Sequence, residues 1–100
     1  MISALTGSLK QVGDDRIYLE SGPLVYEMLV PAADLDLLQA GVGQEMTFHT
    51  IFYIEGDASG GNLTPRLIGF LRPEDKRFFE KFITVKGIGP TRALRALAVS

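Results

Sequence analysis

Apolar and polar positions alternate along most of residues 1–71, and turn-forming residues separate the alternating runs. A period of two is typical of strands that are buried on one face. Clusters of glycine, proline and aspartate mark turns between such strands. The pattern therefore predicts strands within these ranges: 2–12, 16–20, 24–30, 45–55 and 63–70.

A short helix interrupts this series of strands. Residues 32–38 are rich in helix formers but too few to form a stable helix alone, and residues 41–44 turn the chain into the fourth strand. One face of that strand carries the following side chains: Met46, Phe48, Thr50, Phe52 and Ile54. Three strands, a short helix and two further strands indicate a five-stranded Greek-key barrel of the OB type. Periodicity alone leaves other small β folds open.

The hydrophobic period changes after residue 72. One side of the next segment carries four apolar residues at helical spacing: Phe78, Phe79, Phe82 and Ile83. Pro73 suits a first helical turn, and the acidic residues at positions 74 and 75 suit the positive end of a helix dipole. A second helical pattern covers residues 91–99. We therefore expect an all-β barrel domain, residues 1–71, followed by a helical segment, residues 72–100.

Composition and charge narrow the class of protein. Hydrophobic residues make up 46% of the chain and charged residues 22%, which is typical of a globular protein. The absence of cysteine excludes disulfides, thiolate metal sites and a cysteine nucleophile. Because no signal peptide and no membrane-spanning run is visible, we expect a soluble cytoplasmic protein. The net charge is −2, yet residues 72–100 hold seven basic and three acidic residues, so the charge is polarised along the chain.

The segment from Lys86 to Arg92, between the two helical patterns, carries the most specific chemistry. Gly87 and Gly89 permit unusual backbone conformations and a close approach to a ligand, although Gly-Ile-Gly alone would also fit a helix C-cap and a tight turn. Pro90 fits the first position of a helix, whose N-terminal amides favour phosphate. We predict that this helix-hairpin-helix pattern contacts a nucleic-acid backbone without reading bases. The predicted contacts are Lys86, Gly87, Ile88, Gly89, Thr91 and Arg92.

A particular order of short motifs runs along the whole chain. Leu-Ile-Gly-Phe at residues 67–70 precedes a charged helix that contains Phe79, and Val-Lys-Gly-Ile-Gly-Pro follows at residues 85–90. Upstream lie Val-Tyr-Glu at residues 25–27 and Gly-Gln-Glu at residues 43–45. This order resembles the RuvA family, the DNA-binding subunits of the bacterial Holliday-junction branch-migration machine. The resemblance implies an OB-like domain that assembles four subunits around a four-way DNA junction, paired helix-hairpin-helix motifs that hold the arms, and a C-terminal domain that contacts the ATP-driven motor RuvB.

The resemblance also implies an acidic pin, a hairpin tip between the fourth and fifth strands that reaches the junction centre. The pin maps onto Glu55 and Asp57, whose negative charges would repel phosphates and help to keep the DNA strands apart. The sequence departs from the family pattern because Gly56 separates the two acidic residues, residues 58–62 lengthen the tip, and Ser3 stands where glycine is usual. A second helix-hairpin-helix and the motor-binding domain are absent, so the resemblance implies a truncated chain.

Other polar residues have simpler explanations than catalysis or metal binding. His49 is the only histidine and lies in an alternating strand, so we expect a surface or barrel-rim residue rather than a ligand or a base. Asp14 and Asp15 fit a hairpin turn. Asp34 and Asp36 are two residues apart and would not share a helix face. We therefore expect no metal site and no cofactor.

Functions of three different classes remain open on the sequence. The first is a structure-specific DNA-binding subunit, the second an assembly module whose acidic barrel only oligomerises, and the third an enzyme such as a DNA glycosylase. Tyr18, Tyr26 and Tyr53 could stack bases, but the resemblance implies that this barrel face serves assembly. An enzyme is disfavoured because a glycosylase would need a catalytic aspartate or lysine after the motif, and the seven residues that follow Ala93 include neither. No Walker A sequence is present either, so any ATP hydrolysis would belong to the RuvB partner.

Overall fold

The computed structural model describes residues 1–56 and 60–98 of the chain, and its strands and helices follow the order that the sequence predicts. The strands are β1 (Ala4–Val12), β2 (Arg16–Ser21), β3 (Leu24–Leu29), β4 (Glu45–Gly56) and β5 (Leu63–Phe70). The helices are α1 (Leu35–Ala40), which follows a 3-10 turn at Ala32–Asp34, α2 (Pro73–Lys86) and α3 (Pro90–Ala98). Within these described ranges, no helix is long and apolar enough to cross a membrane.

The strands close into a barrel in the order β1-β2-β3-β5-β4, and β4 pairs back onto β1. Neighbouring strands are antiparallel except for β3 and β5, which meet as a parallel pair at Leu29 and Ile68. The position of β5 between β3 and β4 is the Greek-key arrangement of an OB-type barrel. The predicted fold, a five-stranded OB-type barrel followed by helices, is confirmed.

Alternate residues of the strands fill the barrel with apolar side chains. Leu9, Ile17, Leu19 and Phe48 are fully buried in this interior, and α1 adds Leu38 to the same cluster. Removing a side chain of this size from water contributes about 1.5–3 kcal/mol. The barrel therefore obtains its stability mainly from apolar burial, as the period-two pattern predicts.

Strand β4 continues beyond the segment that pairs with β1. Its register with β1 runs from Glu45 to His49, whereas its register with β5 runs from His49 to Gly56. The apolar face predicted for this strand is consequently buried only over its first half: Phe48 is fully buried, but Phe52 is 40% exposed. The second half of β4 forms a two-stranded ribbon with β5.

A second apolar cluster joins the outer face of the barrel to the two long helices. Ile68 and Phe70 of β5 pack with Phe79 of α2 and Ala93 of α3, and all of these side chains are buried. The rings of Phe70 and Phe79 lie 5.2 Å apart between centroids at a tilt of 48°, which is a favourable geometry for an aromatic pair. Phe78, which the helical pattern grouped with Phe79, lies at the edge of the packed face and is 58% exposed.

Candidate nucleic-acid interface

The turn between α2 and α3 is built around a glycine in the left-handed conformation. Gly87 has a φ of 64°, and its amide donates to the carbonyl oxygen of Ile83 at 3.0 Å, which ends α2. A residue with a Cβ is strained at this φ, so glycine is required here by the backbone itself. Three residues later Pro90 starts α3, as its fixed φ predicts.

The second glycine of the motif is not required by the backbone. Gly89 does not lie in the positive-φ region, and a Cβ built on it would meet no atom within 4 Å. The chain itself therefore gives no reason for glycine at this position. A glycine on an open surface does allow a ligand to approach the backbone closely. From the sequence, Gly87 and Gly89 have the same predicted role. In the structure, only Gly87 has a backbone conformation that requires glycine.

The N-terminus of α3 faces the surface beside this glycine. The first helical hydrogen bond runs from the amide of Ala93 to the carbonyl of Gly89 at 3.0 Å. The amides of Thr91 and Arg92 precede that bond, so they point out of the helix without an intrahelical acceptor. Such an end carries a partial positive charge and favours anions.

Exposed basic side chains lie on both sides of the turn. Lys86 is the last residue of α2, and Arg92 and Arg95 lie about one helical turn apart on α3; all three are exposed. Ile88 behaves differently from the other predicted contact residues, because its side chain is half-buried against the second apolar cluster. It anchors the turn to the protein. The surface offered to a ligand therefore consists of backbone amides and flanking positive charges.

The hydroxyl of Thr91 is directed into the protein rather than toward solvent. Its Oγ1 donates to Glu55 Oε2 at 2.7 Å and lies 2.7 Å from the hydroxyl of Tyr53. On the other side of the carboxylate, Arg66 Nε donates to Glu55 Oε1 at 3.0 Å. We call this set of four side chains the polar bridge. It connects the first turn of α3 to the ribbon of β4 and β5.

Strand register explains how the polar bridge forms. Tyr53 and Glu55 are two residues apart on β4 and point to the same face, and Arg66 on β5 is directly opposite Tyr53. The hydrogen bond from Thr91, and then that from Arg66, hold the pKa of the Glu55 carboxyl below its ordinary value. Glu55 is therefore ionised and bonded at neutral pH.

The predicted pin is placed only in part. Glu55 lies at the end of β4 with its carboxylate in the polar bridge, and the ribbon remains paired up to Gly56 opposite Leu63. Asp57 lies outside the described residues. The role of these two residues as an acidic pin stays a prediction.

A cleft of about 490 Å³ lies between the end of β4 and the start of α3. Its lining includes Glu55, Gly89, Arg92 and Arg95. Sequence reasoning missed Tyr53 and Arg66 as parts of this region, because it could not supply the register of β4 against β5 across a hairpin of unusual length. It also left out Arg95, although the spacing of three residues from Arg92 places both on neighbouring positions of one helix face.

Comparison with known proteins agrees with this architecture. The family model of the RuvA N terminal domain matches residues 1–59. The Holliday junction branch migration complex subunit RuvA of Rhodopirellula baltica is 43% identical over 97 residues, which cover 97% of this chain and 47% of that protein. The protein of the same name from Desulfosudis oleivorans is 37% identical over 99 residues, which cover 99% of this chain and 47% of that protein. This chain thus spans about half the length of the curated relatives that it matches, and it belongs to the RuvA family.

Proposed function

We propose that the chain binds DNA through its phosphate backbone and that its target is the four-way Holliday junction. In this role it acts as a non-catalytic subunit in branch migration, within the cytoplasm. The observation that carries the proposal is the start of α3. There, outward-pointing amides, a glycine at position 89 with open space before it, and the exposed Lys86 and Arg92 lie together.

The charge distribution supports backbone binding despite the acidic net charge. The net charge of −2 would disfavour a nucleic-acid partner if the charge were spread evenly. Instead the basic residues are concentrated in the segment that contains α2 and α3. A phosphate at the start of α3 would meet the helix dipole and the guanidinium of Arg92 together, and neither reads a base. Such binding is independent of sequence, so selectivity has to come from the shape of the DNA.

Fluorescence anisotropy with a four-way junction and with linear duplex of the same sequence tests the proposal. We expect tighter binding to the junction and an affinity that falls as salt rises, because each neutralised phosphate releases counterions. Arg92→Gln should weaken binding to both DNAs and lower the magnitude of the salt slope by about 1. Arg77→Gln is the matched control, because Arg77 is an exposed arginine on α2 that pairs with Glu74 at 3.8 Å.

Two results would contradict parts of this proposal. Equal affinity for junction and duplex would remove the junction as the preferred target and leave backbone binding. Equal effects of Arg92→Gln and Arg77→Gln would show that charge anywhere on the helices suffices, and the start of α3 would then not be the site.

A second function, assembly through the barrel, is favoured by a separate observation. Leu24 and Val25 at the start of β3 are large apolar side chains that are 55% and 56% exposed. We propose that four copies of the chain form a ring through barrel surfaces of this kind, which is checked by light scattering at micromolar concentration. A strictly monomeric chain would contradict it. We also propose the RuvB motor as a partner of the complex, and we assign no described residue of this chain to that contact.

The acidic pin is proposed as a separate determinant of selectivity. The carboxylate of Glu55 also accepts the hydrogen bonds of Thr91 and Arg66, so replacing Glu55 would remove the polar bridge together with the charge. Asp57→Asn therefore tests the pin that we propose for Glu55 and Asp57. If the pin acts by repelling phosphates, this variant should bind duplex more tightly and lower the ratio of junction to duplex affinity. An unchanged ratio would contradict a pin that acts through the charge of Asp57.

A further inference from the structure

The polar bridge has a defined direction of hydrogen bonding. An ionised carboxylate can only accept, so the single hydroxyl proton of Thr91 goes to Glu55. Thr91 must then accept its other bond from the hydroxyl of Tyr53. Arg66 donates to the remaining carboxylate oxygen. Glu55 therefore only accepts, Tyr53 donates, and the hydroxyl of Thr91 both donates and accepts. Neighbouring bonds in such a series strengthen each other.

This directed arrangement differs from the other contact between the helices and the barrel. The second apolar cluster holds α2 and α3 by burial, which is favourable but has no directional preference. Hydrogen bonds fix distance and angle. Thr91 occupies the first turn of α3, directly before Arg92 and two residues after Gly89. A constraint on its side chain is thus a constraint on the amides at that helix end.

We propose that the polar bridge sets the orientation of the start of α3 relative to the barrel, and that Thr91 and Glu55 are positioning residues for the DNA backbone. The proposal rests on the proposed function, because the orientation matters only if α3 contacts DNA. Glu55 contributes through Thr91, since its carboxylate is the acceptor that holds the hydroxyl. The same carboxylate also compensates the positive charge of Arg66.

The orientation can be measured without any DNA. Residual dipolar couplings of backbone amides in the 100-residue chain report the direction of α3 relative to β1 and β2. Thr91→Val removes the hydroxyl at nearly constant shape, and Thr91→Ser retains it. We expect the couplings of α3 to change or to average toward smaller values in Thr91→Val, and to stay as in the wild type in Thr91→Ser. The couplings of β1 and β2 should be the same in all three proteins.

The carboxyl of Glu55 gives a second readout. A carbon-13 titration should show a pKa below the ordinary value in the wild type and in Thr91→Ser, and a higher pKa in Thr91→Val, because the largest stabilising hydrogen bond is lost. Tyr53→Phe keeps the ring and removes only the outer donor of the series. It should shift both readouts in the same direction as Thr91→Val by a smaller amount, and it replaces that variant if Thr91→Val does not fold.

Junction affinity completes the test. We expect Thr91→Val to lose about fivefold, the ordinary loss for one hydrogen bond, and Thr91→Ser to bind like the wild type. Unchanged couplings in Thr91→Val would overturn the polar bridge as an orienting device. Changed couplings with unchanged affinity would overturn its role in positioning DNA contacts. If the wild type binds no DNA, the proposed function fails, whereas the couplings still decide whether the bridge orients α3.

Discussion

The interior of the barrel and the interface between the barrel and the helices are held together by different chemistry. The interior consists of apolar side chains from the strands and from α1, among them Leu9, Ile17 and Phe48. The interface between the barrel and the helices combines a smaller apolar cluster around Phe79 with the hydrogen bonds of Thr91. Burial of apolar area tolerates small shifts, whereas a hydrogen bond does not. The barrel interior thus provides most of the stability, and we expect the interface with the helices to set the position of the proposed binding surface.

The largest effect is expected from a cavity in the barrel. Phe48→Ala should lower the free energy of unfolding by about 4–5 kcal/mol, because Phe48 is fully buried and surrounded by strands that cannot collapse into the space. Urea unfolding followed by circular dichroism measures the loss. Phe78→Ala is the control, since a side chain that is 58% exposed should cost less than about 1 kcal/mol. Equal losses in the two variants would contradict the assignment of the barrel as the main core.

A cavity at the interface between the barrel and the helices should lower the stability less, and its effect should be more local. Phe79→Ala removes the ring that packs on Phe70, and we expect a loss of about 3 kcal/mol, at the lower end of the range for buried phenylalanine. Hydrogen exchange should show lost protection in α2 and α3 with retained protection in β1 and β2. If the strands lose protection to the same extent as the helices, the two clusters form a single cooperative unit and the comparison fails.

The same division explains which features could be predicted from the sequence. Alternation places Ile17 and Leu19 in the interior, and helical spacing places Phe79 inward, because both depend only on local periodicity. The hairpin of Gly87 and Pro90 follows from conformational rules for single residues. The polar bridge was missed, because it requires the register of two strands and the docking of a helix, and neither is encoded within a short segment. Sequence reasoning placed Glu55 at the strand end correctly but could not supply its hydrogen-bond partners.

The two glycines of the hairpin should respond differently to the same substitution. Gly87→Ala should destabilise the protein by about 1 kcal/mol, because a Cβ is strained at a φ of 64°. Gly89→Ala should be neutral or slightly stabilising, because its Cβ would meet open space and alanine has less freedom in the unfolded chain. Thermal unfolding of both variants checks this pair.

DNA binding should rank the same two variants differently. If a phosphate approaches the backbone at position 89, the added methyl group of Gly89→Ala weakens junction binding although the fold is intact. A Gly89→Ala protein with wild-type stability and wild-type affinity would show that nothing approaches this backbone closely. A Gly87→Ala protein of unchanged stability would contradict the conformation assigned to the turn.

The smallest expected effects are electrostatic, and they have opposite signs in the two regions. On the barrel, the hydrogen bond from Arg16 lowers the pKa of the Asp15 carboxyl. At the interface between the barrel and the helices, burial and then the charge of Asp75 raise the pKa of Asp34. Asp34 lies in the 3-10 turn that contacts α3. A lowered folded-state pKa stabilises the protein above the ordinary aspartate value, and this contribution is lost as the pH falls through the folded value. A raised pKa costs stability at neutral pH, and that cost disappears as the pH falls through the folded value.

Asparagine substitutions at these two aspartates test the signs directly. At pH 7, Asp15→Asn should lower the melting temperature slightly, by no more than the effect of about 0.5 kcal/mol expected for an exposed ion pair. Asp34→Asn should raise it, because asparagine removes the unfavourable charge, and no capping hydrogen bond is lost since the Asp34 side chain makes none at the start of α1. Both differences should shrink toward zero well below the ordinary aspartate pKa of about 3.9, where the wild-type carboxyls are themselves protonated. Calorimetry at pH 7 and near pH 2 separates the outcomes. A destabilised Asp34→Asn protein at pH 7 would mean that a partner group stabilises the ionised carboxylate of Asp34. The charges of Asp34 and Asp75 would then not oppose the packing of the helices on the barrel.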